Sequence, residues 1–204
     1  MPLLAATPEA DDWGYSAWTM PPESASVAGA TAGNVIAGTV YLCGFSLKEE
    51  FDVGALPATA SYLVTSAGTG TAQTGTYVGV YNVNPMQSST GLVAAGTRLA
   101  VSADVSANNT ASGIIPATAA LTWAAGLAVL PQGYYWFGVL IAANAGTNKQ
   151  AIGQALNPGV AAGTPNYYRH AVNGTGASVL PATVTPSANS LTGAAAFWLA
   201  LSQA

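Results

Sequence analysis

The sequence predicts an all-β protein built as a sandwich of two antiparallel sheets. Three observations predict it. Glycine (23) and proline (12) punctuate the chain at short intervals. The segments between them are rich in Val, Tyr, Trp, Thr and Leu, and no stretch keeps a capped 3.6-residue apolar period. Many short strands joined by turns satisfy all three. With 204 residues, such a chain buries roughly 70% of its unfolded surface, so its core needs no covalent staple.

Residues 1–37 differ in kind from the rest of the chain. They hold Glu9, Asp11 and Asp12, then Trp13, Tyr15 and Trp18, then Pro21-Pro22 and a run of small residues up to Gly38. This reads as an N-terminal docking arm ahead of a β-sandwich domain at 38–204. Each aromatic can bury ~150–250 Å² and is costly to leave in water. Trp13, Tyr15 and Trp18 are therefore the expected partner-docking residues, either on a neighbouring protein or along the outer face of their own domain.

The first strong strand is expected at 40–47, where the apolar run Val40-Tyr41-Leu42-Cys43-Gly44-Phe45 reads Cys43 as a buried thiol. Strands at 60–66 and 76–83 come next. In Thr76-Tyr77-Val78-Gly79-Val80-Tyr81-Asn82-Val83, one face carries Tyr77, Gly79 and Tyr81, the other Val78, Val80 and Asn82. Both faces are mostly apolar, which predicts a central strand covered on each side. After it are expected a strand at 92–103 and weaker ones near 112–115 and 120–129, the Ala-rich window 117–129 being the only place that admits a helical turn. Pro131-Gln132-Gly133 then turns the chain into a strand at 134–143. In Tyr134-Tyr135-Trp136-Phe137, alternate residues face opposite sides, so one pair lines the core and the other meets a second layer, a partner or a ligand. Weaker strands are expected near 150–156 and 167–172, with Asn157-Pro158-Gly159 as a turn between them. Asn173-Gly174 reads as a type I′ hairpin joining Tyr167–Val172 to Ser178-Val179-Leu180. A strand at 194–202 closes the domain.

Charge narrows the function. Four bases, eight acids and one histidine make up the ionisable inventory apart from Cys and Tyr, with net charge −4. The 6% charged fraction compares with about 25% in ordinary domains. Such a surface is hydrated by Thr, Ser, Asn and Gln or covered by other subunits, which makes homo-oligomerisation an expectation, a trimer being one closed form. Four scattered bases cannot neutralise a run of phosphates, so no nucleic-acid partner is expected. No membrane insertion is expected either, because the most apolar segment, Ala117–Leu130, falls short of the ~18 residues of a span. Met1–Ala6 lacks the basic start of a signal peptide, and the single Cys43 has no partner for an intrachain disulfide.

Chemistry-bearing motifs are scarce. Lys48-Glu49-Glu50-Phe51-Asp52 reads as a solvated strand end, since neighbours on a strand point to opposite faces. His170 stands without a second acid or base, and no Gly-x-Ser-x-Gly elbow or phosphate loop occurs. Zinc lacks clustered Cys and His. Calcium could draw only on Asp104, Asn108 and Asn109, with too little charge for a tight site. No catalytic residue, metal or cofactor is expected, and the chain reads as non-enzymatic. Exposed aromatics remain, with Tyr135, Tyr167 and Tyr168 as candidates for stacking on a sugar ring.

The order of features from residue 40 onward resembles the β-sandwich domain of minor tail and tail-fibre proteins of phages infecting actinobacteria. The resemblance runs through Val40-Tyr41-Leu42, Gly79-Val80-Tyr81-Asn82 with Gly91-Leu92-Val93-Ala94 after it, and Arg98-Leu99-Ala100-Val101-Ser102-Ala103-Asp104. It continues through Leu130-Pro131-Gln132-Gly133-Tyr134-Tyr135-Trp136, Tyr168-Arg169, Ser178-Val179-Leu180-Pro181 and Phe197-Trp198-Leu199-Ala200-Leu201-Ser202. The resemblance implies a jelly-roll-type module that helps a virion contact the host surface. In place of a long tail-binding region stands the short arm of residues 1–37, a layout that also suits a capsid decoration or head-fibre protein. The expected function is that of a virion structural protein assembled in the host cytoplasm, docked on other virion proteins and presenting its sandwich to a host-surface glycan or protein. A stand-alone carbohydrate-binding module is the alternative.

Overall fold

The computed structural model describes residues 15–19, 25–26, 36–54, 56–66, 74–82, 96–110, 115–143, 151–152, 154–155, 170–185 and 197–203. The strands are β1 (Ala17–Trp18), β2 (Ala25–Ser26), β3 (Val40–Leu47), β4 (Phe51–Asp52), β5 (Ala58–Ser66), β6 (Thr74–Asn82), β7 (Gly96–Ser102) and β8 (Ile115–Trp123). They continue as β9 (Val129–Leu130), β10 (Gly133–Ala143), β11 (Ala151–Ile152), β12 (Gln154–Ala155), β13 (His170–Val172), β14 (Thr183–Val184) and β15 (Leu199–Gln203). Among the described residues the only helical element is a 3₁₀ turn at Ser106–Thr110. The fold is all-β, and its paired strands run antiparallel.

Among the described residues, eleven strands share one sheet in the order β1-β15-β5-β8-β7-β6-β10-β3-β13, with β11 also on β5 and β14 also on β7. The pairs β2/β12 and β4/β9 form small ribbons. Strand β8 lets the sheet curl: Ile115–Ala120 pairs with β5, and Leu121–Trp123 pairs with β7. The two wings on either side of β8 then enclose one core. Ala60, Tyr62, Leu199 and Leu201 enter it from the first wing, and Cys43, Phe45, Val78, Val80, Phe137 and Val139 from the second. Near the open ends the wings meet again. The Phe197 ring stands edge-on to Tyr41 at 5.0 Å, and the Phe197 N–H donates to Cys43 Sγ at 3.3 Å. The result is a nearly barrel-shaped sheet.

The expected strand 40–47 is β3, and 134–143 is β10 but for one residue. Strands β5 and β6 start two residues before the expected 60 and 76. The larger departure is β8, a continuous strand from Ile115 to Trp123 that takes the first half of the window in which the alanines admitted a helical turn, while Ala124–Leu127 forms a turn closed by the Leu127 N–H on the Ala124 carbonyl at 3.2 Å. From Thr118 to Thr122, exposed and buried residues alternate strictly, with Ala119 and Leu121 buried. Small side chains carry this period-2 pattern without the bulk that makes it visible in sequence.

Strand β6 lies between β7 and β10 and is covered on both faces, as its two apolar faces predict. Val78 and Val80 face the enclosed core, whereas Tyr77 and Tyr81 belong to a second cluster on the outer face with Val40, Leu42, Trp136, Leu140, Leu180 and Val184. Residues 173–185 supply the cover. The type I′ hairpin expected at Asn173-Gly174 does not form, because that turn needs positive φ at both central residues and only the glycine has it, at 70°. Asn173 instead uses its side chain: Oδ1 accepts the Thr185 N–H at 2.5 Å, closing an Ω-type loop that lies across the sheet.

That loop is held at several points. The Tyr81 hydroxyl donates to the Pro181 carbonyl at 2.9 Å, the Arg98 N–H donates to the Ala182 carbonyl at 2.9 Å, and the Arg98 guanidinium bonds the Leu180 carbonyl. Beneath Leu180, two glycines face each other across the β6/β10 ladder, Gly79 and Gly138. A Cβ on Gly79 would lie 2.7 Å from the Ala100 carbonyl and 3.0 Å from Leu180, and one on Gly138 would lie 2.6 Å from the Tyr81 ring. The glycine pair makes the notch that Leu180 fills.

Candidate interaction surface

Residues 15–19 of the N-terminal segment run along an edge of the main sheet as β1, while β2 pairs with β12 in a separate ribbon. Ala17 pairs with Leu201 and Trp18 with Ala200, so β1 extends the sheet beside β15. The alternation splits its side chains. Ala17 is buried in the enclosed core, and Trp18 lies on the outer face. There Tyr15 meets Trp198 edge-on at 5.7 Å and Trp18 at 6.5 Å, making a three-aromatic cluster. Trp198 is only 3% exposed, while Tyr15 and Trp18 stay half-buried. Two of the three expected docking residues thus sit together on the chain's own sheet, and Trp13 lies outside the described residues.

The second aromatic surface arises from β10. Its phase places Tyr135 and Phe137 inward. Phe45 stacks on both, at 5.7 and 4.2 Å, and the Tyr135 hydroxyl donates to the Pro131 carbonyl at 2.7 Å. Tyr135, expected as a stacking residue, is 7% exposed and is a core residue in this chain. Its neighbour Tyr134 points out instead and is 63% exposed, opposite Ser46 of β3. Val179 of the covering loop, 56% exposed, is a further apolar group that this side of the sheet presents. Tyr167 and Tyr168 lie outside the described residues. Tyr134 was hidden in sequence because both members of each alternate pair are aromatic.

Asp104 serves the fold. Asp104 accepts the Gly75 N–H on Oδ2 at 2.9 Å, and on Oδ1 the Thr76 N–H at 3.0 Å and the Ser106 N–H at 2.9 Å. Desolvation is the largest single influence on its carboxyl and pushes the pKa up. The bonds from the Ser106 amide and hydroxyl and from the Gly75 and Thr76 amides outweigh it, and the pKa falls below the usual Asp value. Asn108 uses its amide to donate to the Thr118 carbonyl at 3.0 Å, and Asn109 belongs to the same 3₁₀ turn. Asp104 and Asn108 are thus engaged by backbone of β6, β8 and Ser106, and no group of three or more metal-ligating side chains occurs among the described residues.

Lys48, Glu49 and Glu50 are exposed in the turn from β3 to β4, and Asp52 accepts the Gly54 N–H at 2.8 Å in the turn that follows β4. His170 pairs through its backbone with Cys43. Burial pushes the Cys43 thiol up to about 12, against a smaller opposing effect of the Phe197 N–H, so the group is inert at neutral pH. No helix among the described residues is long and apolar enough to cross a membrane. No family model, curated protein or solved structure matches this chain. What the described residues offer chemically is aromatic contact area, with Tyr134 the most exposed ring.

Proposed function

We propose that this chain is a non-enzymatic virion structural protein of the minor-tail or tail-fibre type, a jelly-roll-like module that attaches the particle to a host surface. The carrying observation is the exposed Tyr134, set on the inner strand β10 of a sheet whose other described outward aromatics are buried or half-buried. A tyrosine fixed in this way contributes contact area at low entropic cost. The scarcity of charge supports the same reading. A surface with four bases and eight acids tolerates close neighbours, and many weak contacts per particle add through effective concentration. Capsid decoration or a head fibre would use the same properties at another position on the particle.

The test is binding of the purified chain to intact actinobacterial cells. Binding that drops at least ~10-fold in Tyr134→Ala, in line with about 1.4 kcal/mol or more from an aromatic anchor, supports attachment. Undiminished binding by a folded Tyr134→Ala variant sinks the role given to this residue. The exposed ring also favours the carbohydrate-binding reading, because a tyrosine face suits a sugar ring. Binding of a soluble monomer to a glycan array, lost in the same variant, would select that reading.

A further inference from the structure

We propose that β1 is an exchangeable strand: residues Ser16–Thr19 of one copy seat on the β15 edge of a second copy and link the chains into a swapped assembly. This goes beyond the attachment reading and does not depend on the chain belonging to a virion.

The receiving edge is well defined. One side of β15 pairs with β5 from Leu199 to Gln203, and the other side meets β1. There the Ser16 N–H donates to the Leu201 carbonyl at 2.7 Å and the Thr19 N–H to the Leu199 carbonyl at 2.9 Å. The Thr19 hydroxyl donates to the Phe197 carbonyl at 2.7 Å and accepts the Leu199 N–H at 3.1 Å. Removing β1 would open these backbone groups along an edge whose inward residues, Leu199 and Leu201, are core. An open edge of that kind is a template for another strand. The occupant it fits has a small inward residue between outward aromatics and a hydroxyl one residue on, which is the sequence Tyr15-Ser16-Ala17-Trp18-Thr19. Every copy of the chain carries one.

The shortness of the β1 ladder favours exchange. Only Met20-Pro21-Pro22-Glu23-Ser24 separates Thr19 from β2, which is anchored on β12. The ladder itself spans two residue pairs, so it is among the elements that open at low free-energy cost. Contacts of β1 with β15 are the same within a chain and between chains. The balance is then set by effective concentration, and chains crowded on a surface shift it toward exchange.

Trp18 and Ala200 are register partners, at a spacing that a disulfide can bridge. Full-length Trp18→Cys and Ala200→Cys variants, each with its own affinity tag, are refolded together at about 1 mM and at about 1 µM, bracketing the effective concentration of a short linker. Both samples are then oxidised. The proposal predicts a covalent heterodimer carrying both tags in the concentrated sample, at least tenfold more abundant than in the dilute one. If Trp18→Cys fails to fold, the register pair Ala17→Cys and Leu201→Cys is read in the same way. No interchain disulfide at either concentration, while the corresponding double variant closes within its own chain, would overturn the proposal.

Discussion

Asp104 and Cys43 make opposite predictions about pH. The folded-state pKa of Asp104 lies below its ordinary value of 3.8, so its contribution is complete above that value and is lost as pH falls through the folded pKa. Asp104→Asn is expected to lower the urea midpoint at pH 7, and the gap to the parent should close on acidification below pH 3.8. A gap that stays constant with pH would mean that the carboxylate's charge contributes nothing. Cys43 has a raised pKa of about 12, so its contribution is complete below the unfolded thiol's ~8.5 and falls as pH rises toward the folded value. Buried Tyr62 and Tyr81 are raised as well, by desolvation first, and their losses begin near the unfolded phenol's ~10. Cys43→Ala should therefore delay the onset of alkaline destabilisation from about pH 8.5 to about pH 10, read from urea midpoints across that range. At this scale Cys43 was legible as a buried thiol in an apolar run. The orientation of Tyr134 and Tyr135 was not, because β10 is apolar on both faces and no polar side chain marks the outside.

The elements most exposed to test are the covering loop and the glycine notch beneath it. Leu180 is fully buried over Gly79 and Gly138, so Leu180→Ala should cost about 3 kcal/mol in urea unfolding. Gly138→Ala pushes a methyl into the Tyr81 ring and should cost about 1–3 kcal/mol. Stability unchanged by either substitution would mean that the loop does not pack as described. The sequence carried both apolar faces of β6, and hence its central position. It did not carry the loop's path, because Asn173-Gly174 has the composition of a tight hairpin while the Asn173 side chain is used to tie down Thr185. The continuous β8 escaped for a related reason: alanine and threonine suit a strand when cross-strand packing supplies the bulk.

At the scale of the molecule, the spacing of glycine and proline dictates all-β architecture but not the route of the chain. Its main ladders join strands far apart in sequence, β3 with β10, β5 with β15 and β6 with β10. Hydrophobic pattern alone does not choose among such pairings. The low charge acquires a structural counterpart in the few ionic groups the fold uses, since Asp104 and Arg98 bond backbone within the chain. The central claim is that this surface serves attachment on a particle. It is tested most directly by sedimenting phage from a lysate through a density gradient and probing each fraction with an antibody against the chain. The account predicts the chain in the particle band in fixed proportion to the other virion proteins, and a chain confined to the soluble fractions would contradict it.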